Sequence, residues 1–75
     1  MTDQSNKPVE TIFDGRNKVT IWENQSEKGK YYTVKFGRLY DDKEGNTQET
    51  NSFSKNDLLQ VARLANKAYD WIDSQ

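Results

Sequence analysis

The hydrophobic pattern of this chain changes period once, from two to about 3.6, and that change leaves few architectures open. In residues 18–24, Val19 and Ile21 fall on one side of an extended chain, with Lys18, Thr20 and Trp22 on the other. Residues 31–40 repeat the pattern more strongly. Tyr32, Val34 and Phe36 share a face there, and Tyr31, Thr33, Lys35 and Gly37 share the opposite one. Residues 48–53 read as a third main strand, polar except for Phe53, which suits a sheet edge. Residues 9–13 read as a further short strand, because the following Asp14-Gly15 pair favours a tight hairpin turn.

From residue 55 onward the period is helical. Ser54 is a good N-cap, and Asp57 three residues later makes a weaker form of the capping box. Neither Gly nor Pro interrupts residues 55–73. Leu58, Val61, Ala62, Ala65, Ala68, Tyr69 and Ile72 form one apolar stripe, which is expected to lie on the sheet. Leu64 and Trp71 fall together beside that stripe and widen the apolar face to roughly half the cylinder. One sheet is expected to cover the main stripe only, leaving the Leu64/Trp71 flank as a homodimer contact. The expected fold is α+β: an antiparallel meander of three to four strands followed by one C-terminal amphipathic helix. Residues 1–8 are expected to be a disordered tail, and residues 9–75 a single β-β-β-β-α domain.

The sequence has 75 residues, and a chain of that size buries only about 60% of its unfolded surface, so its monomer is marginal. It contains no cysteine and no histidine. Disulfides and thiolate zinc sites are thereby excluded, and a metal site would need carboxylates alone. Unstapled small domains often rely on oligomerisation, which independently points to a dimer. The polar start lacks the apolar core of a signal peptide, and no stretch approaches the ~20 apolar residues of a membrane span. The expected compartment is the cytoplasm.

Catalysis is not expected, and neither is a cofactor. No His or Cys is present for a nucleophile–base pair, and no Gly-rich phosphate loop occurs. Asp41, Asp42 and Glu44 cluster beside Lys43 in a polar turn, without an apolar setting to raise a pKa. The spacing also fails as a calcium loop.

Net charge is −1, yet the charge is unevenly placed. Residues 15–43 carry seven Lys/Arg against four acids, whereas both flanks are acidic. Local fields steer an anion more than the sum does. If the helix covers Val19, Ile21, Tyr32, Val34 and Phe36, then Lys18, Thr20, Trp22, Tyr31, Thr33 and Lys35 form the other face. Bases stack on aromatic rings, and Lys and Arg track phosphates without reading sequence. Arg16, Lys28 and Lys30 could extend such a track through the turns, and Arg38 and Tyr40 around the strand end. The same composition also suits an ordinary exposed strand or a protein-binding face.

The run Gly15-Arg16-Asn17-Lys18-Val19-Thr20-Ile21, then Lys28-Gly29-Lys30, then Phe36-Gly37-Arg38-Leu39-Tyr40, resembles the positive cofactor four family of transcriptional coactivators. The acidic turn Asp41-Asp42-Lys43-Glu44-Gly45 and a helix opening with Leu58-Leu59 extend the resemblance over roughly residues 12–72. It implies a curved antiparallel sheet with one helix, a dimer, and binding of single-stranded or melted DNA. Arg16, Lys18, Lys28, Lys30 and Arg38 match the family's basic set, and Tyr40 lies near its stacking aromatic. Asn24 stands where the family has an aromatic; Trp22, two residues earlier on the same face, is the substitute. The expected ligand is therefore single-stranded nucleic acid, contacted by Arg16, Lys18, Trp22, Lys28, Lys30, Tyr31, Lys35, Arg38 and Tyr40. The alternative is a protein–protein interaction module using the same sheet face or the helix flank.

Overall fold

The computed structural model describes residues 7–75. Four strands, β1 (Lys7–Asp14), β2 (Asn17–Ser26), β3 (Gly29–Asp41) and β4 (Thr47–Thr50), precede one helix, α1 (Lys55–Asp73). The strands pair in chain order, every neighbour antiparallel, as an open four-stranded sheet. This is the α+β meander-plus-helix that the change of period predicts. Lys7 and Pro8, expected to belong to a tail at 1–8, pair with Glu23 and Trp22 in β1; residues 1–6 lie outside the described residues.

The turns explain why the meander forms. Gly15 and Arg16 alone separate β1 from β2, and Gly15 has φ of +66°, a left-handed conformation that L side chains adopt at a cost. Between β3 and β4, Asp42 Oδ1 accepts the backbone N–H groups of Glu44 and Asn46, each at 2.9 Å. That arrangement closes the loop locally, as Asp side chains in turns do. A register shift between Pro8 and Glu10 makes a bulge in β1, an edge strand, where bulges discourage pairing with other chains. β4 is the other edge, as its polar sequence suggests, but it ends at Thr50 rather than reaching Phe53.

The helix starts where the sequence places it. Asp57 Oδ2 accepts the backbone N–H and the hydroxyl of Ser54, both at 2.9 Å. The helix packs mainly on β1 and β2 and least on β3. Val19 and Ile21 of β2 are completely buried against Leu64 and Ala68 of α1. Val9, Ile12, Tyr32, Val34, Phe36, Trp71 and Ile72 surround this core, half-buried. Trp71 meets Tyr32 edge to face, centroids 5.6 Å apart, within the range where aromatic pairs add stabilisation.

The roll of the helix corrects the sequence reading. Leu64 is 0% exposed and Trp71 is packed on the core, so neither forms an exposed dimer flank. Leu58, Ala62, Ala65 and Tyr69, expected on the sheet, face outward instead. The apolar arc is wider than one sheet can cover, and polar ties decide which part is covered. Asn17, 1% exposed, donates its amide to Asp57 Oδ1 (3.2 Å) and to Gln60 Oε1. Arg38 Nε lies 3.3 Å from Asp57, and Arg63 grips Asp14 at 2.7 and 3.2 Å. These contacts turn the Asp57/Gln60/Leu64 side inward.

Candidate nucleic-acid interface

Strand alternation and register decide which of the nominated side chains can act together. Trp22 pairs with Thr33, Thr20 with Lys35, Asn24 with Tyr31 and Lys18 with Gly37. All eight lie on the sheet face away from the helix. On this face Tyr31 and Lys35 flank Trp22 diagonally from the neighbouring strand. The Lys35 ammonium sits 5.6 Å from the Trp22 ring centroid, a cation–π distance. Tyr31 is about half exposed, whereas Trp22 is half-buried. The Trp22 indole N–H is buried and has no acceptor among the described residues. The ring is thus seated with its polar edge inward. Asn24 donates its amide to the Thr33 hydroxyl at 3.1 Å, fixing the side chains beside the ring. Trp22, Asn24, Thr33 and Lys35 line an open hollow of about 120 Å³. That is smaller than the roughly 300–1,000 Å³ of small-molecule pockets.

Phe13 extends this aromatic surface and was missed in the sequence. It pairs with Lys18 across β1–β2 and is 52% exposed. The signal was available: a tight turn at Gly15 forces Ile12 and Phe13 to opposite faces, and Ile12 belongs to the core.

The other nominated residues separate from this group. Lys30, Arg38 and Tyr40 alternate onto the helix-bearing face of β3, so they do not continue the track of Trp22 and Lys35. Arg38 is engaged in holding the helix start through Asp57 and the Ser52 carbonyl (3.3 Å). Arg16 and Lys28 lie in turns at the sheet ends, Arg16 donating to the Leu39 carbonyl at 3.4 Å.

Carboxylates partner most of the nominated cations. Arg16 pairs with Asp41 (3.2 Å), Lys18 with Glu49 (2.9 Å), Lys30 with Glu23 (3.4 Å) and Arg38 with Asp57 (3.3 Å). Among the described residues only Lys28 and Lys35 of the basic set have no ion-pair partner. Glu49 reaches Lys18 across Gly37, where an added Cβ would collide with its carboxylate. The glycine keeps that crossing open. Sequence reading found the cations but not their partners, because Glu49 and Asp41 come from β4 and the end of β3, whose register against Lys18 and Arg16 is not local.

Three carboxyls are held below the ordinary aspartate value of 3.8. The Arg63 guanidinium lowers Asp14, the Asn46 backbone N–H and the Gln48 amide lower Asp42, and the Ser54 backbone N–H and hydroxyl lower Asp57. All three serve turns or helix docking rather than the open face. Among the described residues no group of three or more Asp or Glu is placed to hold a metal ion. Among those residues, too, no helix is long and apolar enough to cross a membrane.

No family model, curated protein or solved structure matches this chain.

Proposed function

We propose that this chain is a sequence-tolerant, non-enzymatic single-stranded nucleic-acid-binding protein of the cytoplasm, acting in transcription or replication. The observation that carries the reading is the Lys35–Trp22 pair on an open sheet face, flanked by Tyr31 and Thr33. A base stacks on Trp22 when Lys35 swings from the ring to the adjacent phosphate. The cation then leaves a π-face and gains an anion, while the ring exchanges a cation for a base. Tyr31 and Phe13 supply neighbouring platforms, and each stacked base contributes about 1–3 kcal/mol. Lys18 joins the phosphate track only by giving up Glu49. The affinity expected is modest and falls as salt rises.

Trp22→Ala tests the stacking role, because Trp22 lies outside the core built on Val19, Ile21, Leu64 and Ala68. Affinity for oligo-dT falls roughly 5- to 150-fold while the circular dichroism spectrum stays native. Unchanged affinity in a folded variant removes Trp22 from the interface.

A specific observation favours a second reading. Four of the six nominated cations are paired with carboxylates of the same chain, a charge-neutral arrangement suited to a protein partner. Binding of that kind through Tyr31, Trp22 and Phe13 would change little with ionic strength, whereas phosphate contact weakens steadily.

A further inference from the structure

We infer that the outer edge of β3 is a docking site for an extended peptide of a protein partner, one that alternates apolar and acidic residues and joins the sheet as an added antiparallel strand. β3 is much longer than its outer neighbour. β4 pairs only with residues 38–41, so among the described residues 30–37 have a strand partner on the β2 side alone. Register tells which backbone groups point outward. Ser26 and Gly29 close the two-residue turn between β2 and β3, and Leu39 donates its N–H to the Arg16 carbonyl at 2.8 Å. Odd-numbered residues of β3 therefore turn their N–H and C=O toward β2 and the β1–β2 turn. Lys30, Tyr32, Val34 and Phe36 turn theirs outward. Such a row of unpaired backbone groups is a template for another chain.

The opposite edge is guarded and this one is not. β1 is interrupted by Pro8 and a bulge, whereas no proline or register shift interrupts residues 29–38 of β3. The helix lies mainly over β1 and β2, which leaves Tyr32, Val34 and Phe36 half-buried as an apolar row beside the edge. Where β4 stops, Lys35, Phe36, Glu49, Thr50 and Asn51 line an open hollow of about 500 Å³. It gives room for the first residues of a strand laid in line with β4.

Charge selects the occupant. Residues 28–40 contain Lys28, Lys30, Lys35 and Arg38 and no acid. Lys28 and Lys35 have no ion-pair partner among the described residues. An antiparallel strand sets alternate residues beside Tyr32, Val34 and Phe36 on the helix-bearing face, and the intervening ones beside Tyr31, Thr33 and Lys35 on the open face. Apolar side chains suit the first row. Acids suit the second, where a carboxylate reaches Lys35. A second copy of β3 would set this acid-free strand against itself, cation beside cation, which is unfavourable. The site rests on backbone groups at the sheet edge and not on stacking at Trp22, so it stands or falls apart from the nucleic-acid reading.

The test titrates the full chain with an acetylated, amidated peptide of about eight residues alternating valine and glutamate, read by amide NMR and hydrogen exchange. In the free chain the amides of Tyr32, Val34 and Phe36 exchange quickly, while those of Tyr31, Thr33 and Lys35 are protected by β2. Saturating peptide protects the first set as well. N-methylation of one valine, whose N–H faces β3, weakens binding about two- to tenfold, and N-methylation of one glutamate leaves it unchanged. Lys35→Glu weakens binding roughly two- to tenfold, and a peptide with lysine in place of glutamate does not bind. Protection of the Tyr32, Val34 and Phe36 amides in the free chain means that a second copy or residues 1–6 already cover the edge, and overturns the proposal. Absence of binding, equal binding of the lysine peptide, or equal loss from the two N-methylations overturns it too.

Discussion

The Lys18–Glu49 pair gives a way to adjust the proposed interface by one charge. The ammonium lies 2.9 Å from the carboxylate, and the two side chains are 22% and 51% exposed. A nucleic acid that uses Lys18 must first separate this pair, which at such exposure contributes about 0.2–1 kcal/mol. Glu49→Gln removes the competing anion while keeping the side chain over Gly37. Affinity for oligo-dT then rises by up to about fivefold. Each phosphate neutralised on a single strand contributes about −0.7 to the slope of log K against log salt, so freeing Lys18 steepens the slope by about 0.7. Across a fourfold rise in salt, the variant loses about 2.6-fold more affinity than the parent. Fluorescence anisotropy at several salt concentrations measures both quantities. Glu44→Gln is the control: it makes the same change in net charge in the β3–β4 loop, and Glu44 has no ion-pair partner among the described residues. Equal effects of the two substitutions, or an unchanged slope for Glu49→Gln, would refute a role for Lys18 as a releasable phosphate contact.

Two further predictions concern the fold. Leu64→Ala empties a completely buried position and should lower unfolding free energy by about 2–5 kcal/mol, enough to unfold much of a marginal domain. Leu59→Ala, at a 74% exposed position, should stay within about 0.5 kcal/mol; urea denaturation distinguishes them, and equal costs would contradict the observed helix roll. Asp57 is held below 3.8 in the folded chain by the Ser54 backbone N–H and hydroxyl and the Asn17 amide. A depressed folded pKa contributes stability above 3.8 that is lost as pH falls through the lower folded value, so stability declines on the acid side. In Asp57→Asn that part of the decline disappears, and a denaturation series from neutral pH to about pH 3 reads it as a shallower pH dependence than the parent's.

Most of the fold was legible because it rests on local signals. Alternation in β2 and β3, the Asp14-Gly15 turn and the Ser54/Asp57 cap each involve residues close in sequence, and each lies where those signals place it. The helix roll was not legible. Its apolar arc offered two equivalent sectors, and the choice between them depends on Asn17, Asp14 and Arg38, residues distant in sequence that dock Gln60, Arg63 and Asp57. The candidate site divides in the same way. Alternation correctly groups Lys18, Trp22, Tyr31 and Lys35, because period two holds along β2 and β3. The same rule, carried to both ends of β3, assigns Lys30, Arg38 and Tyr40 to the opposite face; reading Lys30 into the preceding turn, and Arg38 and Tyr40 as bending around the edge, lost that information. The carboxylate partners were hidden for a further reason. Glu49 meets Lys18 only through the combined register of β2, β3 and β4.

The central claim is that the open face of the sheet binds single strands. Its most direct test is a fluorescence anisotropy titration of labelled oligo-dT with the full chain, at low and moderate salt, with duplex DNA as competitor. The account predicts salt-sensitive binding in the micromolar range that duplex does not displace. An absence of binding at low salt, or equally effective competition by duplex, would contradict it and leave the aromatic face to a protein partner.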